Sequence, residues 1–64
     1  MSIGEKIKAL RKARGLTQAK LADEIGSYQV TVYKWETGAF EPTIFNCILL
    51  ADYFGITLDE LCRG

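Results

Sequence analysis

Apolar residues recur along this chain at intervals of three and four and never in sustained alternation, a pattern that predicts helices and no strands. Ile3, Ile7 and Leu10 share one face of a first helix, and Ser2-Ile3-Gly4-Glu5 has the form of a capping box at its start. That helix is expected to end near Gly15, with Arg11, Lys12 and Arg14 suited to the negative end of its dipole. A second helix, capped by Thr17, buries Leu21, Ala22 and Ile25 before Gly26, with Leu16 placed to staple onto Leu21. A third runs from about Tyr28 to Thr37, buries Val32 and Trp35, and stops at Gly38. Pro42-Thr43 opens a fourth, which continues to Phe54 and ends at Gly55. Thr57-Leu58-Asp59-Glu60 is a second capping box and begins a short fifth, where Ile56 can staple onto Leu61. The expected fold is all-α, a compact five-helix bundle forming one domain over residues 1–64. A chain of this size hides only about 60% of its unfolded surface, so its core must be efficient.

The fourth helix is apolar on more sides than a core needs. At about 100° per residue, Ile44, Cys47, Ile48, Ala51 and Phe54 fall together and are expected to face the core. Phe45, Leu49 and Tyr53, spaced i, i+4, i+8, lie on another side. A second apolar stripe on such a helix marks a partner surface.

Net charge is zero, which by itself argues against a polyanionic partner, but the charges are unevenly placed. Residues 1–38 carry seven basic and four acidic side chains; from Ala39 onward Arg63 alone opposes four carboxylates. A molecule with one basic and one acidic half can turn one face toward phosphates. Cys47 and Cys62 sit in apolar helical contexts and read as buried thiols in a reducing compartment, with a mutual disulfide as the alternative.

Much chemistry is absent. The chain has no histidine, no Cys-x-x-Cys pair and no glycine-rich phosphate loop, so ligands for a metal and a general acid or base are both lacking. The adjacent carboxylates Asp23/Glu24 and Asp59/Glu60 lie about 100° apart around their helices and do not converge. Neither an enzyme nor a cofactor, metal or small-molecule ligand is expected. No secretory leader pattern or membrane-length apolar run is visible, and a cytoplasmic protein without membrane contact is expected.

The stretch Thr17 to Gly38 then stands out: two short amphipathic helices hinged at Gly26, a shape that can place one helix in a DNA groove. Its residues carry a resemblance. Leu16-Thr17-Gln18-Ala19-x-Leu21-Ala22, Gly26, Val32-x-x-Trp35-Glu36-x-Gly38, Pro42 and Leu50-Ala51-Asp52-Tyr53-Phe54-Gly55-Ile56-x-Leu58-Asp59-Glu60-Leu61 resemble the helix-turn-helix domain of lambdoid-phage repressor, Cro and XRE-like regulators, over nearly the whole chain. The resemblance implies that the third helix lies in the major groove of double-stranded DNA. Base readout then falls to Gln29, Val30, Tyr33 and Lys34: Gln29 toward adenine, Val30 toward a thymine methyl, Lys34 toward guanine or phosphate. Phosphate contacts fall to Arg11, Thr17, Gln18, Tyr28, Thr31 and Thr37. Arg11 and Glu36 match a pair that the family uses to fix the angle of the third helix.

Three departures from the family pattern matter. Ser27-Tyr28 precedes the third helix where an apolar residue followed by a Ser or Thr cap is usual, so Ser27 is a candidate to cap it and start it one residue early. The loop Gly38-Ala39-Phe40-Glu41-Pro42 has no cation to meet phosphate, which implies weak binding by one copy and a shallow salt dependence. The third departure is the second stripe of the fourth helix, from which Phe45, Leu49 and Tyr53 are expected to form a homodimer interface. The expected function is a small transcriptional regulator, a repressor, reading a palindromic operator as a dimer. The alternative is an interaction protein of antitoxin or anti-regulator type whose fourth helix binds a protein target.

Overall fold

The computed structural model describes residues 2–63, and in them five helices and no strand. They are α1 (Ile3–Ala13), α2 (Gln18–Glu24), α3 (Gln29–Thr37), α4 (Ile44–Phe54) and α5 (Leu58–Arg63). The capping chemistry read from the sequence is in place at both predicted boxes. Ser2 Oγ accepts from Glu5 N while Glu5 Oε1 accepts from Ser2 N, and Thr57 and Glu60 exchange the same two bonds. These bonds to backbone N–H groups hold the Glu5 and Glu60 carboxyls below the ordinary range. Thr17 and Thr43 cap α2 and α4 by accepting from Lys20 N and Asn46 N.

One contiguous core unites Ile7, Leu21, Ala22, Val32, Trp35, Cys47, Leu50, Ala51, Phe54 and Leu61, so every helix contributes. Ile3, Leu10, Ile25, Tyr53, Ile56 and Leu58 pack around it. The third helix rests on both α1 and α2, while α5 rests on α1 and α4. Contact with α1 depends on Gly4, which is buried beside the end of α3. A Cβ there would fall on the Trp35 carbonyl oxygen. Gly4, Ile7 and Arg11 are the buried residues of α1 and follow helical spacing.

Several expectations require correction. Ile44 and Ile48 do not face the core: they are 65% and 44% exposed, whereas Leu50 is fully buried. The docked face of α4 is centred on Cys47, Leu50, Ala51 and Phe54, about an eighth of a turn from the face expected. Ile44, Phe45 and Ile48 therefore form the exposed apolar side, with Leu49 and Tyr53 half-buried beside it. Tyr53 is further engaged by Arg14, whose guanidinium lies 5.4 Å from the Tyr53 ring and 5.3 Å from that of Phe54. Arg14 also donates to the Tyr53 and Phe54 carbonyls at the end of α4, where a cation suits the dipole. Cys47 is buried but Cys62 is exposed, and both are free thiols. On short α5 only Leu61 is buried, and Cys62 lies about 100° around from it.

Ser27 does not cap α3. Its backbone N–H is used to close α2, donating to the Ala22 carbonyl (2.8 Å) while Gly26 N donates to Asp23 O. That reversal needs the left-handed backbone of Gly26, at φ +71°. The N-cap of α3 is consequently Tyr28, which supplies no side-chain bond, and the helix begins at Gln29.

Candidate nucleic-acid interface

The exposed side of α3 follows from which of its residues the core takes. Val32 and Trp35 turn inward, and at about 100° per residue this leaves Gln29, Val30, Tyr33, Lys34 and Thr37 on about 140° of outer arc. Val30 and Tyr33 are 53% and 52% exposed although apolar or aromatic, so burial within the chain is not what they serve. Tyr28, 75% exposed, stands at the N-terminal end of this face, and Thr37 stands at the other. Thr31 lies on the half-buried flank. No side chain caps α3; Thr31 N donates to the Tyr28 carbonyl, which leaves the N–H groups of Gln29 and Val30 available to an outside acceptor.

Behind this face lies a chain of polar bonds. Arg11 meets Glu36 through two parallel bonds, Nε to Oε2 at 2.7 Å and Nη2 to Oε1 at 3.0 Å. The side chains of this pair are only 10% and 3% exposed. Glu36 Oε1 also accepts from Gln18 Nε2 (3.1 Å), and Gln18 Oε1 accepts from Gln29 Nε2 (2.8 Å). The first residue of α3 is thus oriented by the first residue of α2, which is anchored to the last turn of α3 and through it to α1. Burial raises the Glu36 carboxyl, but bonds from Arg11 and Gln18 and the charges of Arg11 and Lys8 outweigh it, leaving the group below its ordinary value. Donating to the Glu36 carboxylate in turn holds Arg11 more firmly in its charged form.

Two of the expected phosphate ligands take part in bonds within the chain. Arg11 is buried, and its remaining terminal nitrogen donates to the Leu16 carbonyl at 2.8 Å, so it positions α3 from within. Gln18 spends its amide on Glu36 and Gln29 rather than projecting freely. Thr17 is exposed, with its hydroxyl oxygen accepting from Lys20 N. Gln29 keeps its carbonyl oxygen and one N–H, the acceptor and donor that the major-groove edge of adenine requires.

Two features escaped the sequence reading. The Gln18–Gln29 bond joins residues eleven apart, and its only trace in sequence is an amide at the first position of both helices. Phe40, in the loop after α3, lies with its ring centroid 4.6 Å from Lys34 Nζ. The described residues hold no group of three potential metal ligands and no helix long and apolar enough to cross a membrane.

Comparison with known proteins agrees with this geometry. The chain is 44% identical over 62 residues to the cryptic phage CTXphi transcriptional repressor RstR of Vibrio cholerae, covering 97% of this chain and 55% of that protein. It is 33% identical over 64 residues to the HTH-type transcriptional activator BcrR of Enterococcus faecalis, covering all of this chain and 31% of the activator. This chain therefore spans about half the length of the first relative and a smaller share of the second. The P22 c2 repressor in complex with a synthetic operator superimposes with a TM-score of 0.93 at 31% identity, covering 100% of this chain and 97% of that one. The helix-turn-helix family model matches residues 7–61, and with these relatives the chain belongs to the helix-turn-helix family, in its phage-repressor-like, XRE-type branch.

Proposed function

We propose that this chain is a cytoplasmic transcriptional repressor that binds a palindromic double-stranded DNA operator as a homodimer, with α3 in the major groove. The observation that carries the reading is Gln29, exposed at the start of α3 yet held in one orientation through Gln18, Glu36 and Arg11. Such preorganisation has no evident use for a solvated helix face, and it lowers the cost of meeting a base edge. Likeness to a repressor bound to operator, and to the RstR repressor, supports the same reading. Selection from random duplexes at one salt concentration tests it. Gln29→Ala is expected to weaken binding to the selected site by about 1–3 kcal/mol and relax preference at one base pair. A selected site bound equally well by Gln29→Ala and Lys34→Ala would remove α3 from the groove.

The homodimer rests on exposed apolar surface and on size. Ile44, Phe45 and Ile48 stand 65%, 67% and 44% exposed on one side of α4, an arrangement that favours burial against a partner. One copy measures 25 × 23 × 20 Å, short of the roughly 34 Å between half-sites on one face of DNA. Phe45→Glu, on the exposed side of α4, is expected to give a monomer by light scattering. Its operator affinity should fall about a hundredfold as the two copies lose their linkage. A dimer that survives both Phe45→Glu and Ile48→Glu places the interface elsewhere. A wild-type monomer favours the second reading, in which the same α4 face docks a different protein.

A further inference from the structure

We infer that Phe40 is a positioning residue for Lys34, seating its ammonium at the rim of the α3 face and thereby setting which base pair it addresses. This rests on the DNA reading proposed above. The loop Gly38-Ala39-Phe40-Glu41-Pro42 offers no cation of its own, yet its backbone is tightly arranged. Gly38, at φ +81°, reverses the chain, Gly38 N donates to Trp35 O, and Phe40 N donates to Lys34 O at 3.2 Å. The reversal folds Phe40 back alongside Lys34.

Core packing does not account for the ring. Phe40 is 57% exposed and belongs neither to the core nor to the residues packed around it. Its defined partner is Lys34, with Nζ 4.6 Å from the ring centroid, inside the range of a cation–π contact. No carboxylate competes: among the described residues the ion pairs are Arg11–Glu36, Lys20–Glu24 and Arg63–Asp59. An ammonium has three N–H donors, so one resting over a ring still directs donors outward to DNA. A lysine held in this way has less rotamer freedom to lose on binding. Phe40 thus supplies by positioning what a loop cation would supply by direct contact.

The experiment compares base preferences by selection from random duplexes at one salt concentration. The proteins are wild type, Phe40→Leu, Phe40→Tyr, Lys34→Ala and the double variant Phe40→Leu/Lys34→Ala. Phe40→Leu keeps apolar bulk but removes the π face, and should reduce preference about two- to fivefold. The loss should be confined to the half-site position that Lys34→Ala also flattens. The double variant should be no worse than Lys34→Ala alone, and Phe40→Tyr should retain the preference. In the free protein, the Lys34 ε-methylene protons should be shifted upfield by the ring and return to ordinary positions in Phe40→Leu. An equal loss at every position, or independent effects in the double variant, overturns the inference. So does a wild-type protein without the upfield shift, whatever the DNA results. An intact shift with no duplex selected would instead bring down the DNA reading, and the role of Phe40 with it.

Discussion

Glu36→Ala is expected to destabilise the fold by about 3–5 kcal/mol, because it leaves the Arg11 guanidinium buried without its counter-charge. The cost is that of an orphaned charge, since the pair is 10% and 3% exposed and water cannot replace the carboxylate without opening the interface between α1 and α3. Denaturant unfolding measures it directly, and a change below about 1 kcal/mol would mean that the pair behaves as a surface ion pair. Replacing both partners by apolar residues, as in Arg11→Met/Glu36→Leu, should recover much of that stability. It should not recover DNA affinity, because Gln18 loses the acceptor through which Gln29 is oriented. That contrast separates positioning from stabilisation.

The same group dictates a pH dependence. The Glu36 carboxyl lies below its ordinary value of 4.5 in the folded state, so the folded protein binds fewer protons there than the unfolded chain. Its stabilisation is fully present above that ordinary value and is lost as pH falls through the lower folded-state value. Acid unfolding of Glu36→Gln should therefore show a shallower slope below about pH 4.5 than wild type. The residual slope belongs in part to Glu5 and Glu60, whose carboxyls are lowered by their capping bonds.

Gly4→Ala should reveal a tight contact that helix propensity alone would hide. In an exposed helix this change stabilises by about 1 kcal/mol. Here the added methyl would fall on the Trp35 carbonyl, with Glu36 Cα and O each 3.2 Å away. These neighbours are backbone atoms and cannot rotate aside, so α1 and α3 must separate. Overpacking of this kind costs about 1–3 kcal/mol and occasionally more. A net loss of about 2 kcal/mol would lower the Tm by roughly 8–16 °C in a domain of this size. A variant melting above wild type would show that the helices part without penalty. Separation should also tilt α3, so operator affinity measured well below the Tm should fall as well.

Local order was largely legible before any coordinates. The capping boxes at Ser2–Glu5 and Thr57–Glu60, the caps at Thr17 and Thr43 and the glycine stops at Gly26, Gly38 and Gly55 are short-range chemistry, complete within a few residues. The outer face of α3 was accessible in part, since Val32 and Trp35 are its evident inward residues, while the choice of Gln29, Val30, Tyr33 and Lys34 on it came from the family resemblance. The phase of α4 was harder to read. Nine of its eleven residues are apolar or aromatic, for the helix reads Ile-Phe-Asn-Cys-Ile-Leu-Leu-Ala-Asp-Tyr-Phe. Where apolar residues surround a helix, periodicity cannot say which side docks.

The number and approximate limits of the helices, and inward residues such as Ile7, Leu21, Ala22, Val32 and Trp35, were thus determined by sequence alone, because caps, glycines and apolar spacing act over one or two turns. Tertiary structure alone decided that Leu50 faces inward while Ile44 and Ile48 face out. It also decided that Arg11 is buried, that Gln18 orients Gln29, that Gly4 admits the end of α3, and that Phe40 meets Lys34. The physical reason is shared. Apart from the Phe40–Lys34 contact, which the Gly38 reversal makes, each depends on how two elements approach one another, and that geometry is set by packing the whole core.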